Sequence, residues 1–195
     1  MLRIVHRDAH CIVVDKPAGL LAVPGRVDPD CVLARLQLEH PEALVVHRLD
    51  QATSGLLLFA RTPQAQREFS ADFAERRIAK RYVALVTGAL AESGQCELPL
   101  NADWPRRPLQ KVDHEHGKPS TTRWRVLTSN PDGVRRLELE PVTGRSHQLR
   151  VHLQALGCPI VGDTLYGGAE APRLMLHATW LRLGDGLELL CPPPF

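Results

Sequence analysis

The stretch HRLDQATSGLLLFA, residues 47–60, sets a knot of charge directly against an unbroken apolar run. Leu56 to Ala60 read as a buried strand. Thr53, Ser54 and Gly55 carry turn chemistry, with hydroxyls suited to satisfying nearby backbone groups. Asp50 is therefore expected on a shaped turn, between an arginine and a strand that enters the core. Charge in such a place has either a structural partner or a chemical task.

Outward from this point, further β-rich runs appear at LRIV, CIVVD, LVVH, RYVALV, TTRWRVL, RRLELEPV, LMLHATWLRL and LELL, mostly bounded by Gly, Pro, Asp or Asn. Many neighbours are close enough in sequence to pair antiparallel. Three helices interrupt them. The first is predicted to begin at Asp28-Pro29, an N-cap acid followed by proline, with Val32, Leu33, Leu36 and Leu38 turned inward. The second repeats that grammar at Thr62-Pro63 and places Ala65, Phe69 and Phe73 on one face. The third runs from about Ser146 to Leu156, with Leu149, Leu153 and Leu156 as its apolar stripe, Arg150 off that stripe, and Gly157 as its stop. Strands with interspersed helices predict a mixed α/β (α+β) fold around a largely antiparallel central sheet flanked by helices.

Composition sets the bounds. A chain of 195 residues with 44% hydrophobic content is long enough to bury one proper core, so a single domain over residues 1–195 is expected. The opening MLRIVHRDAH lacks the apolar stretch of a signal peptide, and no segment is long and apolar enough to span a bilayer. The expectation is a cytoplasmic protein with no membrane partner. Five scattered cysteines without a CxxC pair suggest buried, reduced thiols rather than a disulfide framework or a zinc knuckle. The net charge of +2 is small, but residues 61–81 hold six basic against three acidic residues, and residues 104–125 hold six against two. Such local excesses suit either solvated faces or contacts to a phosphate backbone.

Four stretches join charge to glycine or proline: KPAGLLAVPGR at 16–26, HRLDQATSG at 47–55, AKRYVAL at 79–85, and GRSHQLRVHLQALGCPIVGDTLYGG from Gly144 to Gly168. Phosphate-cradling glycine patterns and a GxSxG nucleophile elbow are absent. His147, His152 and Asp163 are suitable metal-ligand types, but the histidines stand five apart, off the spacing that places two ligands on one helix face. What remains is a carboxylate with arginine partners. It can serve as base, nucleophile or electrostatic stabiliser, or as one half of a structural ion pair.

Those four stretches resemble, in order and spacing, the motifs of the RluA family of pseudouridine synthases. HRLDQATSGLLLFA is similar to the family's HRLDxxTSGLLLxA, KPAGLLAVPG to its KPxGxxVPG loop, KRYVALV to its KxYxAxV segment, and the long glycine-bounded block to GRxHQLRxHxxxxGxPIxGDxxYG. The resemblance runs from about residue 4 to the C-terminus, beginning directly on the catalytic domain with no N-terminal S4-like domain. DWPRRPLQK and GKPSTTRW look most like the dual-specificity member that gives the family its name, which modifies 23S ribosomal RNA and the tRNA anticodon stem-loop.

The resemblance implies an RNA-modifying isomerase that needs neither cofactor nor metal, and a monomer is the default expectation. It implies Asp50 as the catalytic carboxylate, Arg150 as the arginine that pairs with it, and Tyr82 as the ring that stacks on the target base. Arg48 would enter the space left by the flipped uridine, and Leu174 and Leu176 would line the base pocket. His47 and Thr53 flank the catalytic turn, while Arg76, Arg77 and Lys80 are candidate phosphate contacts. A module that binds or chaperones RNA through the same cleft without changing it is the alternative.

Overall fold

The computed structural model describes residues 2–131 and 133–195. In chain order its elements are β1 (Arg3–Arg7), β2 (Cys11–Lys16), α1 (Val32–Gln37), β3 (Leu44–Val45), β4 (Ser54–Ala60), α2 (Pro63–Ala74) and β5 (Ala79–Thr87). Then follow β6 (Ser93–Cys96), β7 (Leu100–Ala102), a single 3-10 turn (Trp104–Arg106), β8 (Gln110–Val112), β9 (Thr122–Ser129), β10 (Val134–Pro141), α3 (Gln148–Ala155), β11 (Leu176–Arg182) and β12 (Glu188–Leu190). This is a mixed α/β fold in which most strand pairings are antiparallel. The chain gathers into two compact units, Met1–Lys80 with His177–Phe195, and Arg81–Leu176.

In the first unit, β4 is the spine. All seven of its residues are buried. β2 pairs antiparallel along one edge from Gly55 to Ala60, and the other edge is shared by β11, parallel at Ser54 and Gly55, and β3, antiparallel at Phe59 and Ala60. Leu56 and Leu58, two apart and so on one face, pack with Cys11, Val13, Leu181 and Leu189. Phe69 and Phe73 of α2 cover this cluster. Burial of such side chains contributes roughly 1.5–3 kcal/mol each, which is why an apolar run this long settles at the centre.

α2 begins as its sequence predicts: the Thr62 hydroxyl accepts the Ala65 N–H at 3.1 Å and Pro63 occupies the first turn. α1 does not begin at Asp28-Pro29. The Asp28 carboxylate is used locally, accepting the Asp30 N–H at 2.9 Å, and the Gly25 N–H closes onto the Asp28 carbonyl. The helix starts after Cys31 instead, whose sulfur accepts the Ala34 N–H, and it ends at Gln37, so Leu38 stands at its C-cap and is exposed rather than turned inward.

In the second unit the strand order is β5-β10-β9-β6, with β7 and β8 forming a separate hairpin. Leu137 and Leu139 of β10 are fully buried while Glu138 and Glu140 between and beside them are half-exposed, the alternation expected of a sheet with one covered face. Leu100, Leu109 and Val112 of the hairpin region pack against Val151 of α3 and Tyr166. α3 departs from the expected stripe. Gln148, Leu149, Arg150, Val151, His152 and Leu153 are all buried, so its polar residues lie in the interior as well as its leucines. Gly157, at φ +72°, ends it as predicted.

All five cysteines are buried free thiols. Burial, aided by nearby carboxylates, pushes Cys11 and Cys191 up to about 12, so these sulfurs stay protonated and act as apolar filling. No helix among the described residues is long and apolar enough to cross a membrane.

Candidate active site

Asp50 sits half-buried, one residue after the buried Leu49 and one before the exposed Gln51. The Thr53 N–H donates to the Asp50 carbonyl at 3.1 Å, closing a four-residue turn that ends where β4 begins. Lys16 holds the turn from beneath. Its fully buried ammonium donates to the carbonyls of Gln51 and Pro17, each at 2.9 Å, while the Gly19 N–H donates to the same Gln51 carbonyl. The Gln51 side chain returns a bond to the Gly19 carbonyl. The KPAG loop and the LDQ turn are thus laced together by three hydrogen bonds, and the Gln51 carbonyl just beyond Asp50 is fixed. A buried cation is tolerated only with such partners.

The far end of the turn is equally constrained. A side chain at Gly55, φ +107°, would place its Cβ 2.3 Å from the Ala178 carbonyl oxygen, so only glycine lets β11 approach here. Ser54 is buried and lies 2.8 Å from His177 Nδ1, and His177 Nε2 lies 3.0 Å from the Cys191 carbonyl. A carbonyl only accepts, so Nε2 carries the proton and Ser54 donates to Nδ1. Thr53 is 2% exposed, so its side chain belongs to the turn's interior.

His47 fills a gap in the sheet. Between the β11 and β3 pairings, the N–H of Leu58 has no strand opposite it, and it donates to His47 Nε2 at 3.0 Å. The ring also lies 4.5 Å, centroid to centroid, from Phe73. Desolvation, with the nearby Lys80 charge, pushes the imidazole from its ordinary 6.5 down to about 3. The hydrogen bond independently requires an unprotonated Nε2. The unfolded chain therefore takes up a proton below 6.5 that the folded chain refuses down to about 3, so this part of the stability is intact above 6.5 and is lost as pH falls through that window. Between about pH 7 and pH 5 the loss amounts to as much as about 2 kcal/mol. His47→Gln keeps an acceptor for Leu58 without titrating, and chemical denaturation at the two pH values is expected to show a smaller acid loss in that variant than in the parent.

Arg48 is exposed beside this turn. Of the three expected phosphate contacts, Arg76 is exposed, Arg77 is engaged by the carboxylates of Asp72 and Glu75, and Lys80 is half-buried with its ammonium 5.5 Å from the Phe73 ring centroid. Desolvation lowers the Lys80 pKa from its ordinary value.

In the second unit, Arg150 projects from α3 into a buried fork with Asp163: Nε to Oδ2 at 2.8 Å and an Nη to Oδ1 at 2.7 Å. Both side chains are at most 4% exposed. Asp163 Oδ1 also accepts the N–H groups of Leu165 and Tyr166, at 3.1 and 3.2 Å, so the carboxylate orients the arginine and folds its own loop. Tyr166 lies under the guanidinium, 5.0 Å from ring centroid to its central carbon, and its hydroxyl accepts the Gln110 N–H and meets His147 Nδ1 at 2.7 Å. Tyr82, on β5 opposite Leu139, is 9% exposed. Leu174 and Leu176 are both 3% exposed.

The residues weighed as metal ligands are spent elsewhere. His152 donates from Nε2 to the Leu98 carbonyl at 2.9 Å and accepts from Thr122 at Nδ1, His147 bonds Tyr166, and Asp163 holds Arg150. Lys16, which braces the turn, and Tyr166, which lies under the Arg150 guanidinium, are not singled out by the sequence. Both lie inside the quoted motifs, but nothing in a one-dimensional pattern marks a lysine as buried.

The first unit thus carries a carboxylate on a braced turn, and the second a buried arginine held in a carboxylate fork. The model of the RNA pseudouridylate synthase family matches residues 10–155, and the chain belongs to that family. It is 47% identical to the dual-specificity RNA pseudouridine synthase RluA of Escherichia coli (strain K12), across 100% of this chain and 94% of that protein. It is 49% identical to the RluA of Yersinia pestis, across 98% and 99%. Among solved structures, human RNA pseudouridylate synthase domain containing 1 superposes with a TM-score of 0.87 at 32% identity, covering 100% of this chain and 84% of the human one.

Proposed function

We propose that this chain isomerises specific uridines to pseudouridine in 23S ribosomal RNA and in the tRNA anticodon stem-loop, as a single catalytic domain working as a monomer in the cytoplasm, with Asp50 as the catalytic carboxylate. The observation that carries the reading is Asp50 itself: it stands on a turn held by the buried Lys16, within a chain whose full-length relatives are named dual-specificity RNA pseudouridine synthases.

The reaction breaks the N1–C1′ bond, turns the uracil while it stays bound, and joins C5 to C1′. In the glycal route, which the family resemblance favours, Asp50 takes the C2′ proton as the N1–C1′ electron pair leaves with the uracil. C5 then adds to C1′, the proton returns to C2′, and the C5 hydrogen departs. The role that the resemblance implies for Arg150 is to orient the catalytic carboxylate. Tyr82 stacks on the detached base. The uridine must first leave its stack, which costs a few kcal/mol, and Arg48 offsets part of that by entering the vacated space. His47 and Thr53 brace the catalytic turn, Leu174 and Leu176 wall the base, and Arg76 with Lys80 tracks phosphates, Arg77 contributing less because two carboxylates already neutralise it.

RNA transcribed with C5-tritiated uridine tests this reading. Because C5 loses its hydrogen when it joins the sugar, tritium is expected in solvent from both a ribosomal and a tRNA transcript, with a chelator present throughout. Binding without release from either transcript would make the protein an RNA-binding module and overturn the assignment.

A further inference from the structure

The hairpin of β7 and β8 ends in a tip, residues 103–109, that is more ordered than a connecting loop needs to be. The Asp103 N–H donates to the Leu109 carbonyl, Arg106 N–H to the Asp103 carbonyl and Leu109 N–H to the Arg106 carbonyl, all between 2.9 and 3.0 Å. The nearly buried Asp103 carboxylate accepts from Arg106 Nε at 2.8 Å and from its terminal nitrogen at 2.6 Å. On this closed tip Trp104 is 66% exposed, and the Arg107 guanidinium carbon lies 3.3 Å from the Trp104 ring centroid, against one face. A lone exposed tryptophan needs no explanation. A tryptophan with one face occupied by a guanidinium and the rest of its surface turned to water is a half-built stack.

We infer that Trp104 and Arg107 form a docking platform for one unpaired nucleotide of the substrate RNA, remote in sequence from the catalytic turn. The inference rests on the RNA reading above and names an element of recognition that reading does not contain. An unpaired base stacks on the open face of Trp104, as single-stranded bases do on aromatic rings. Arg107 stays on the opposite face, where its N–H edge meets a neighbouring phosphate in the bidentate geometry that suits a guanidinium. The charge of the tip fits this partner, since Asp103 is internally neutralised by Arg106, Lys111 is paired with Asp113, and the exposed Arg107 remains.

The platform is also rigidly referenced to the arginine of the site. Gln110, directly beyond the tip, donates its N–H to the Tyr166 hydroxyl at 2.9 Å, and Leu100, Leu109 and Val112 pack on Val151 and Tyr166. Val151 follows Arg150 on α3, and Tyr166 lies beneath the Arg150 guanidinium. A base held at Trp104 therefore stands at a fixed distance from Arg150, which makes the platform a device for selecting which nucleotide of a loop presents itself for flipping.

Tryptophan fluorescence reads the stack directly. The chain has three tryptophans, Trp104, Trp124 and Trp180, and titration with an anticodon stem-loop transcript or a ribosomal stem-loop transcript is expected to quench emission. The matching duplex without a loop is expected to leave it unchanged. Trp104→Phe should remove the quench while keeping most of the affinity, because a phenyl face still stacks. Trp104→Ala should weaken loop binding and raise KM about tenfold or more, with kcat for bound RNA within about twofold and the thermal midpoint unchanged. Equal affinity of Trp104→Ala and the parent, or an undiminished quench in Trp104→Phe, would overturn the platform. If the parent is quenched by the loop yet releases no tritium, the catalytic reading fails and the platform stands. Turnover with an indifferent Trp104→Ala keeps the catalytic reading and removes the platform, and a parent that binds neither transcript removes both.

Discussion

Asp50→Ala is expected to lower single-turnover pseudouridine formation by roughly a thousandfold or more, in line with the loss of a proton-transferring or covalent catalytic group, while leaving the fold and RNA affinity close to those of the parent. The structure explains why these effects should separate. The turn carrying Asp50 is built from backbone: the Thr53 N–H to the Asp50 carbonyl, and Lys16 and the Gly19 N–H to the Gln51 carbonyl. These bonds run between backbone groups and the Lys16 ammonium, all of which the substitution leaves intact. Removing the carboxylate should therefore leave the turn in place, with Leu49 still anchored in the interior. Asp50→Asn sharpens the test, because an amide of the same shape keeps polar contacts at the site but cannot take a proton as a carboxylate does. Single-turnover rates with enzyme in excess, beside RNA binding by anisotropy, measure the two effects independently. Conversion within about tenfold of the parent in either variant would remove Asp50 from the chemistry.

Lys80 and Arg77 show where a linear reading of charge stops. Both fall in a basic segment, yet Asp72 and Glu75 close onto Arg77, and burial presses the Lys80 ammonium toward its neutral form. Sequence spacing counts charges without showing which are already answered. The strands suffered less, because an apolar run reports its own burial: β4 and its partners β2 and β11 were all legible as β-rich stretches. β6, β7 and β8 were not, since SGQC, LNA and QKV are short and polar and are strands only because β9, or each other, stands opposite. α1 started late because Asp28 had a nearer N–H to cap than a helix's first turn.

The helix carrying Arg150 is the deepest case. Leu149 and Leu153 lie inside as predicted while Leu156, at the C-cap, is half-exposed, and the polar residues are buried too, because each meets a partner far along the chain. Gln148 donates to the Thr121 carbonyl and to Thr122, His152 reaches Leu98 and Thr122, and Arg150 reaches Asp163. No periodicity encodes such partners. Asp163, weighed from sequence as a metal ligand, has a different task visible only in three dimensions: it pairs with the buried guanidinium of Arg150.

Asp163→Ala is accordingly expected to be among the most destabilising single substitutions in the chain. It removes both fork bonds from a guanidinium that is 4% exposed, and the acceptor for the Leu165 and Tyr166 N–H groups. Breaking a buried pair from one side costs about 3–5 kcal/mol, which for a domain of this size corresponds to a fall in Tm of roughly 6–20 °C. The loss is expected to come chiefly from the unanswered charge rather than from a pair that was strongly stabilising in itself. Arg150→Met combined with Asp163→Leu, which removes both charges and fills similar space, should therefore recover a substantial part of the lost Tm. Activity should not follow. If Arg150 orients Asp50, the double variant will be stable and nearly inactive, whereas a stable double variant with parental turnover would make the Arg150–Asp163 fork a purely structural element.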